Sequence, residues 1–428
     1  MAAIKIDNRI GILVGGGPAP GINGVIYAAT IEAVKNNREV VGIYDGFKHL
    51  AEGRLAGIPL LPETVAYIHQ EGGSILRTAR ANPTKSSAAL QNCVTALLEA
   101  GITSLVSIGG DDTAFSASRV ARYAQETMGV RLASVHVPKT IDNDLPLPED
   151  IPTFGFETAR SLGTQLTMNL KRDAATNQHW FLVMTMGRKA GHLALGIGKS
   201  AAATLTLIPE EWTGRAIRLQ EVVDILATAV LLRKLEGKSY GVAILAEGIL
   251  ENLAHEDLLA LNHVERDEHG HIRLAEVNFL DILKQKLDRE LKTMGIQARF
   301  VKHVLGYELR CAGPVAFDVE YSRTLGEAAV DFLLEGGTNA IITVQNNQIV
   351  PIPYDQIIDP ETGRTEVRMV NIDSYRYRSC YKTMARLKPE HAGDTALFQK
   401  LAALTNLSAA EFEQRYGYLT GSRPRPFE

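Results

Sequence analysis

One pattern constrains the fold of this chain more than any other. Short, continuous runs of apolar, largely β-branched residues each end in a loop rich in Gly, Pro or Asp, and most of the loops open into a segment of helical period. Uninterrupted apolar runs suit strands buried on both faces, as in parallel sheets covered by helices; half-solvated strands alternate instead. The runs are Ile10–Val14, Val40–Tyr44, Ser104–Ile108 and Ala133–Val137, then Trp180–Thr185, Thr204–Ile208 and Gly241–Leu245. A later run, Ala340–Val344, closes a helical segment that begins near Tyr321, and helices are expected near Ile22–Val34 and Thr113–Gln125.

Two such series predict an α/β protein of two doubly wound, Rossmann-like lobes with a cleft between them, and 428 residues is long for a single compact domain. Ligands of such sheets sit beyond the carboxyl ends of the strands, where the glycine- and aspartate-rich loops fall. Arg266–Arg273 reads as an exposed polar loop, and the tail from about Pro351, with Tyr375–Arg378, has no clear place in the pattern.

Composition excludes several classes. A formal net charge of -4 supplies no basic field for nucleic acid or membrane surfaces, so an anionic ligand must be held by local groups. Cys93, Cys311 and Cys380 are far apart and form no CxxC pair or Cys/His cluster, so neither a zinc site nor a disulfide scaffold is expected. The beginning MAAIKIDNRI lacks a secretory apolar region and no apolar stretch of about 18 residues occurs, which leads to the expectation of a cytoplasmic protein.

Six loops could carry chemistry. Gly15–Gly21 lies between a strand and a helix; glycines let main-chain N–H groups approach a phosphate, although a tight turn explains the same residues. Gly109-Gly110-Asp111-Asp112 also opens a helix; Asp111 suits a hard cation such as Mg2+, or either aspartate could be a helix cap. Pro138–Asp144 (PKTIDND) carries two carboxylates behind a lysine. It could be a polar turn or weak Ca2+ loop, or Asp142 could take the proton of an attacking hydroxyl while Lys139 meets the charge on the moving phosphate and Asp144 orients its neighbours. Met186-Gly187-Arg188 places a guanidinium fork near a helix start, with His192 beyond it as a structural or solvent-facing residue. Glu247 closes a strand and could accept from sugar hydroxyls, and Arg310 could grip a second phosphate. A phosphate cradle, a metal carboxylate, a base, cationic clamps and a polar pocket form the inventory of phosphoryl transfer.

In order and spacing, the stretches GGGPAPGIN (Gly15–Asn23), GGDD (Gly109–Asp112), PKTIDND (Pro138–Asp144), MGRKAGHLA (Met186–Ala194), AEG (Ala246–Gly248) and GYELR (Gly306–Arg310) resemble the phosphofructokinase family. The resemblance implies transfer of a phosphoryl group to the 1-hydroxyl of fructose 6-phosphate with Mg2+, by chains that pair as a homodimer or homotetramer. It implies Asp142 as base, Thr140 and Asp142 at the sugar, and Met186, Gly187, Arg188, Glu247, Tyr307 and Arg310 lining the sugar-phosphate side. It also implies Gly16 and Gly17 at the donor and Asp111 at the metal. The corresponding division is a donor lobe over 1–153, a sugar-phosphate lobe over 154–309, a return to the first lobe over 310–350 and a C-terminal segment over 351–428.

The phosphate donor turns on Asp112. Members using ATP typically read GGDG and those using diphosphate GGDD; a carboxylate at 112 fills the space of an α-phosphate and repels it. Lys139 can bind diphosphate and the departing phosphate. Diphosphate is therefore the expected donor, with an ATP-dependent enzyme or a non-catalytic regulatory subunit as the alternatives. Tyr307 stands where many relatives have His, and His179 and Val301 stand where arginine or another basic residue is common, so Lys302, Arg299 or Arg378 would have to substitute.

Overall fold

The computed structural model describes residues 8–148, 151–260, 279–357 and 366–421, so the expected Arg266–Arg273 loop lies outside them. The chain forms two compact units, Met1–Ser161 with Tyr307–Arg368, and Leu162–Gly306 with Met369–Glu428. The crossings between units therefore follow Ser161, Gly306 and Arg368. The strands are β1 Arg9–Val14, β2 Val40–Ile43, β3 Gly57–Leu60, β4 Ile102–Gly109, β5 Ala133–Pro138, β6 Trp180–Thr185, β7 Leu205–Leu207, β8 Gly241–Ala246, β9 Phe300–Leu305, β10 Ala340–Gln345 and β11 Gln348–Pro353.

The first unit holds a seven-stranded sheet in the order β11-β10-β5-β4-β1-β2-β3. Its five inner strands are parallel, and the antiparallel strands β3 and β11 close the two edges. Alternation along the inner strands divides their side chains between two cores. Ile10, Ile12 and Val14 of β1 join Val106 and Ile108 of β4 under helices Ile22–Lys35 and Ala316–Leu334. Leu13 and Leu105 point the other way, among Val94 and Leu97 of helix Ser87–Glu99 and Ala117 and Val120 of helix Asp111–Met128. A doubly wound sheet results because each strand has an apolar residue for either face.

β1 is the point of topological reversal. The chain leaves it toward β2 on one side and later returns as β4 on the other, so the loops after β1, β4 and β5 lie at the carboxyl ends of adjacent parallel strands. In the second unit four parallel strands run β7-β8-β6-β9, and the loops after β6, β8 and β9 are neighbours for the same reason. Every residue of β6 and β8 is buried, as an inner parallel strand requires. The tail from Met369 belongs to this unit; its helix Tyr375–Thr383 packs on helix His192–Ser200.

Within the first unit, Asp318 anchors the first turn of the helix Phe156–Asn177. Its buried carboxylate accepts from the main-chain N–H of Gly155 at 2.8 Å and from both the N–H and hydroxyl of Thr158 at 2.7 and 2.5 Å. An Asp318→Ala substitution leaves those donors buried and unpartnered. It is expected to cost about 2–4 kcal/mol, read as a lowered denaturation midpoint in urea or guanidinium.

Candidate active site

The first unit assembles most of the expected donor-side residues. Gly16 has φ of 83°, and a side chain there would approach the Lys139 ammonium, its Cβ about 3.5 Å from Nζ. Only the positive φ calls for glycine, since a Cβ would meet Nζ at an ordinary contact distance. The Gly15–Gly21 loop is laced to the segment 78–80: Thr78 Oγ1 donates to Gly16 O at 2.7 Å and Gly16 N to Ala79 O at 3.1 Å. Lys139 is 5% exposed and donates to Gly17 O at 2.5 Å. The Arg310 guanidinium lies over Gly17, 3.6 Å from where its Cβ would be, and stacks on the exposed Tyr307 ring at 5.2 Å. Burial first, then the Arg310 charge, lowers the Lys139 ammonium to about 8, while Asp142 and Asp144 oppose the shift and Arg80 adds to it. Lys139, Arg310 and Arg80 thus concentrate positive charge on the Gly16–Gly17 backbone, an arrangement suited to a multiply charged anion.

Arg80 was missed in the sequence because it belongs to no glycine loop. The available signal was the preceding Gly72-Gly73 turn with Arg77 and Arg80 behind it, close to the first loop only in three dimensions. Tyr307 and Arg310 group with the donor loops in the first unit rather than with Arg188 and Glu247.

The Gly109–Asp112 loop is set by a buried relay. His136, inside β5, is fully buried; burial lowers its imidazole to about 3, so it is neutral. Nε2–H then donates to Gly109 O at 2.9 Å and Nδ1 accepts from the Ser107 hydroxyl at 2.9 Å. The main-chain N–H of Lys139 donates to the same Gly109 oxygen at 2.8 Å, tying the second loop to the third. Asp111 and Asp112 are the first residues of the helix, and its cap is Gly110, so neither aspartate takes the cap role. Their carboxylates sit in the first turn, Asp112 exposed and Asp111 half-buried, and Asp111 Oδ1 accepts from Asp112 N at 2.9 Å.

In the third loop, Thr140 Oγ1 accepts from Asp142 N at 3.0 Å, a local turn that fixes the main chain entering Asp142. Asn143 follows in a left-handed conformation, φ 56°, and its Oδ1 accepts from Thr153 N at 3.0 Å. Burial first, then the charges of Asp142 and Asp111, raises the Asp144 carboxyl to about 7. Asp111, Asp142 and Asp144 therefore share one negative field, although among the described residues no three acidic, His or Cys groups are arranged as a metal cage. A hard divalent cation takes one or two such carboxylates together with substrate phosphates and water.

The second unit assembles the other set. Met186 N donates to Leu305 O at 3.1 Å, Glu247 N to Thr185 O at 3.0 Å and Gly248 N to Gly187 O at 3.0 Å, which binds together the loops after β6, β8 and β9. Gly187 has φ of 126°, open only to glycine, and this bend carries the chain into the half-buried Arg188. Gly191 N and Val370 N both donate to Glu210 Oε1, at 2.8 and 2.9 Å, which fixes the far end of the Arg188 loop. Glu247 is 8% exposed and leads the helix Gly248–Glu251, and His192 is buried at the start of helix His192–Ser200. His179 is buried ahead of β6, 3.1 Å from Asp173 and edge-on to Phe181. Lys302 is engaged by Asp281, and Arg378 lies 3.5 Å from Asp373.

Comparison with known proteins places the chain among relatives of one family. The family model described as Phosphofructokinase matches residues 9–333. A "Pyrophosphate--fructose 6-phosphate 1-phosphotransferase" of Thermotoga maritima is 50% identical over 418 residues, 96% of this chain and 99% of its own length. One of the same name from Naegleria fowleri is 44% identical over 420 residues, 96% of this chain and 95% of its own. Among solved structures, the pyrophosphate-dependent phosphofructokinase of Marinobacter aquaeolei aligns with a TM-score of 0.68 at 17% identity, over 98% of this chain and 94% of that one, a likeness of fold. With a family match over residues 9–333 and relatives 50% and 44% identical over 96% of its length, the chain belongs to the phosphofructokinase family.

Proposed function

We propose that this protein transfers a phosphoryl group from diphosphate to the 1-hydroxyl of fructose 6-phosphate, giving fructose 1,6-bisphosphate and phosphate, in a near-reversible reaction. The observation that carries this reading is the cationic group of Lys139, Arg310 and Arg80 around the Gly16–Gly17 backbone, beside a helix whose first turn holds Asp111 and Asp112. Two close relatives carry the corresponding name.

In this mechanism Asp142 accepts the proton of the 1-hydroxyl as its oxygen attacks the terminal phosphorus of diphosphate. The P–O–P bond breaks and phosphate departs, with its growing charge met by Lys139. Thr140 and Asp144 orient the acceptor. Met186, Gly187, Arg188 and Glu247 are assigned to the sugar phosphate together with Tyr307 and Arg310, and Gly16, Gly17 and Asp112 to the donor. Asp111 would hold Mg2+, which neutralises phosphate charge when bound. The reading includes a homodimer or homotetramer in the cytoplasm; among the described residues no helix is long and apolar enough to cross a membrane.

The test is purified protein with Mg2+ and fructose 6-phosphate, given either diphosphate or ATP. Turnover with diphosphate and at least about a hundredfold lower kcat/KM with ATP is expected, from charge repulsion at Asp112. Robust turnover with ATP and none with diphosphate defeats the reading, and sugar-phosphate binding without turnover under either donor points to a regulatory subunit.

A further inference from the structure

The loop that carries Asp142 is held by a residue remote in sequence that belongs to none of the motifs. Arg368 Nε and Nη2 donate to Asn143 O at 3.1 and 2.9 Å, and Nη2 also to Asn143 Oδ1 at 2.5 Å. Nη1 donates to Ile151 O at 2.7 Å and Pro148 O at 3.0 Å, with Leu147 O at 3.4 Å. The Arg368 main-chain N–H adds a bond to Asp144 O at 2.9 Å. All five N–H groups of a guanidinium are thereby directed at one loop, and the main chain on both sides of Asn143 is secured.

Asn143 joins the two aspartates in a left-handed conformation, which a non-glycine residue keeps only when its surroundings fix it. The Arg368 fork grips the Asn143 carbonyl on one side of that bend and shares its Oδ1 with Thr153 N, so both the main chain and the side chain of Asn143 are held. We propose that Arg368 is a positioning residue: it holds Asn143 left-handed and so aims the Asp142 carboxylate at the acceptor hydroxyl. The proposal rests on the reading of Asp142 as base.

The experiment compares Arg368→Ala and Arg368→Lys, each alone and combined with Asp142→Asn. Arg368→Ala is expected to lower kcat about a hundredfold, the scale of a misaimed reacting group, with the KM of both substrates near wild type. Added guanidinium ion should restore part of that activity. Arg368→Lys should recover little, because an ammonium cannot reach Asn143 and Ile151 together. In the Asp142→Asn background, Arg368→Ala should cost little more, since there is no base left to aim.

The proposal is overturned by a kcat within about twofold of wild type, by losses that multiply in the double variant, or by a loss that follows thermal stability and shows no guanidinium rescue. If Arg368→Ala does not fold, Arg368→Gln, which keeps two donors, carries the same comparison. Failure of the base reading is distinguished by Asp142→Asn alone: near-wild-type activity there removes that reading, and the proposal with it, whatever Arg368 does.

Discussion

Asp142→Asn is expected to lower kcat about a thousandfold while KM for diphosphate and fructose 6-phosphate changes little. The carboxylate is asked to remove a proton only as the acceptor oxygen attacks, so its contribution belongs to the transition state, and general-base catalysis is typically worth about a hundredfold to ten-thousandfold. The substitution keeps size and shape, and the Thr140 Oγ1 contact is made with the main-chain N–H of residue 142, so the turn survives. Thermal stability should hold or rise. Burial, and after it the charge of Asp142, raises Asp144 to about 7, so an amide at 142 would relieve that repulsion. Steady-state rates in both directions, with a melting curve on the same samples, check the two halves together. A variant that keeps a tenth of the wild-type kcat would place the base elsewhere.

The parts of this fold legible in sequence were those in which burial leaves a local trace. β6 and the inner strands β1, β4 and β5 read as apolar runs because both faces of each are covered. The three missed strands break that rule. β3 and β11 are antiparallel edges containing Pro59, and Pro351 and Pro353, and β9 alternates, with Lys302 and Val304 at its surface. β11 still had a signal in Asn346-Asn347, both at positive φ in the two-residue turn after β10.

Site residues followed a similar division. Asp111, Lys139, Asp142, Arg188 and Glu247 sit at strand ends, where the topology of a doubly wound sheet directs attention. Arg80 and Arg368 belong to segments with no periodicity; Arg80 places its charge near Lys139, Arg368 bonds to distant main chain, and neither leaves a spacing to read. The helix starting at Asp111 had another cause: an aspartate before an apolar helical segment reads as a cap, but the loop geometry gives the cap to Gly110.

The second large effect concerns the donor. Lys139→Ala is expected to lower kcat/KM for diphosphate about a hundredfold to a thousandfold, the usual loss when a preorganised electrostatic contact to developing charge is removed. The same lysine predicts a pH limb. Its ammonium is lowered to about 8 in the free enzyme, so it is charged below that pH and neutral above it, and kcat/KM for diphosphate should fall as pH rises through about 8. Lys139→Arg should abolish that limb, because a guanidinium stays protonated.

In the proposed reaction Asp112 would act in the opposite sense, by exclusion. It is exposed in the first helical turn beside the positive end of the helix, where a carboxylate is favoured and an α-phosphate would compete for the same field. Asp112→Gly should therefore weaken diphosphate use about tenfold by removing part of the fixed arrangement, yet should not by itself admit ATP. On the proposed reading, the buried Lys139, held at Gly17 O, would still draw the terminal phosphates into a register set for a two-phosphate donor. ATP turnover should emerge only with Asp112→Gly and Lys139→Gly together. Four proteins and two donors give eight kcat/KM values. If Asp112→Gly alone left rate and preference unchanged, repulsion at that position would not be what excludes the nucleotide; ATP use confined to the double variant would mean that the two side chains close one space between them.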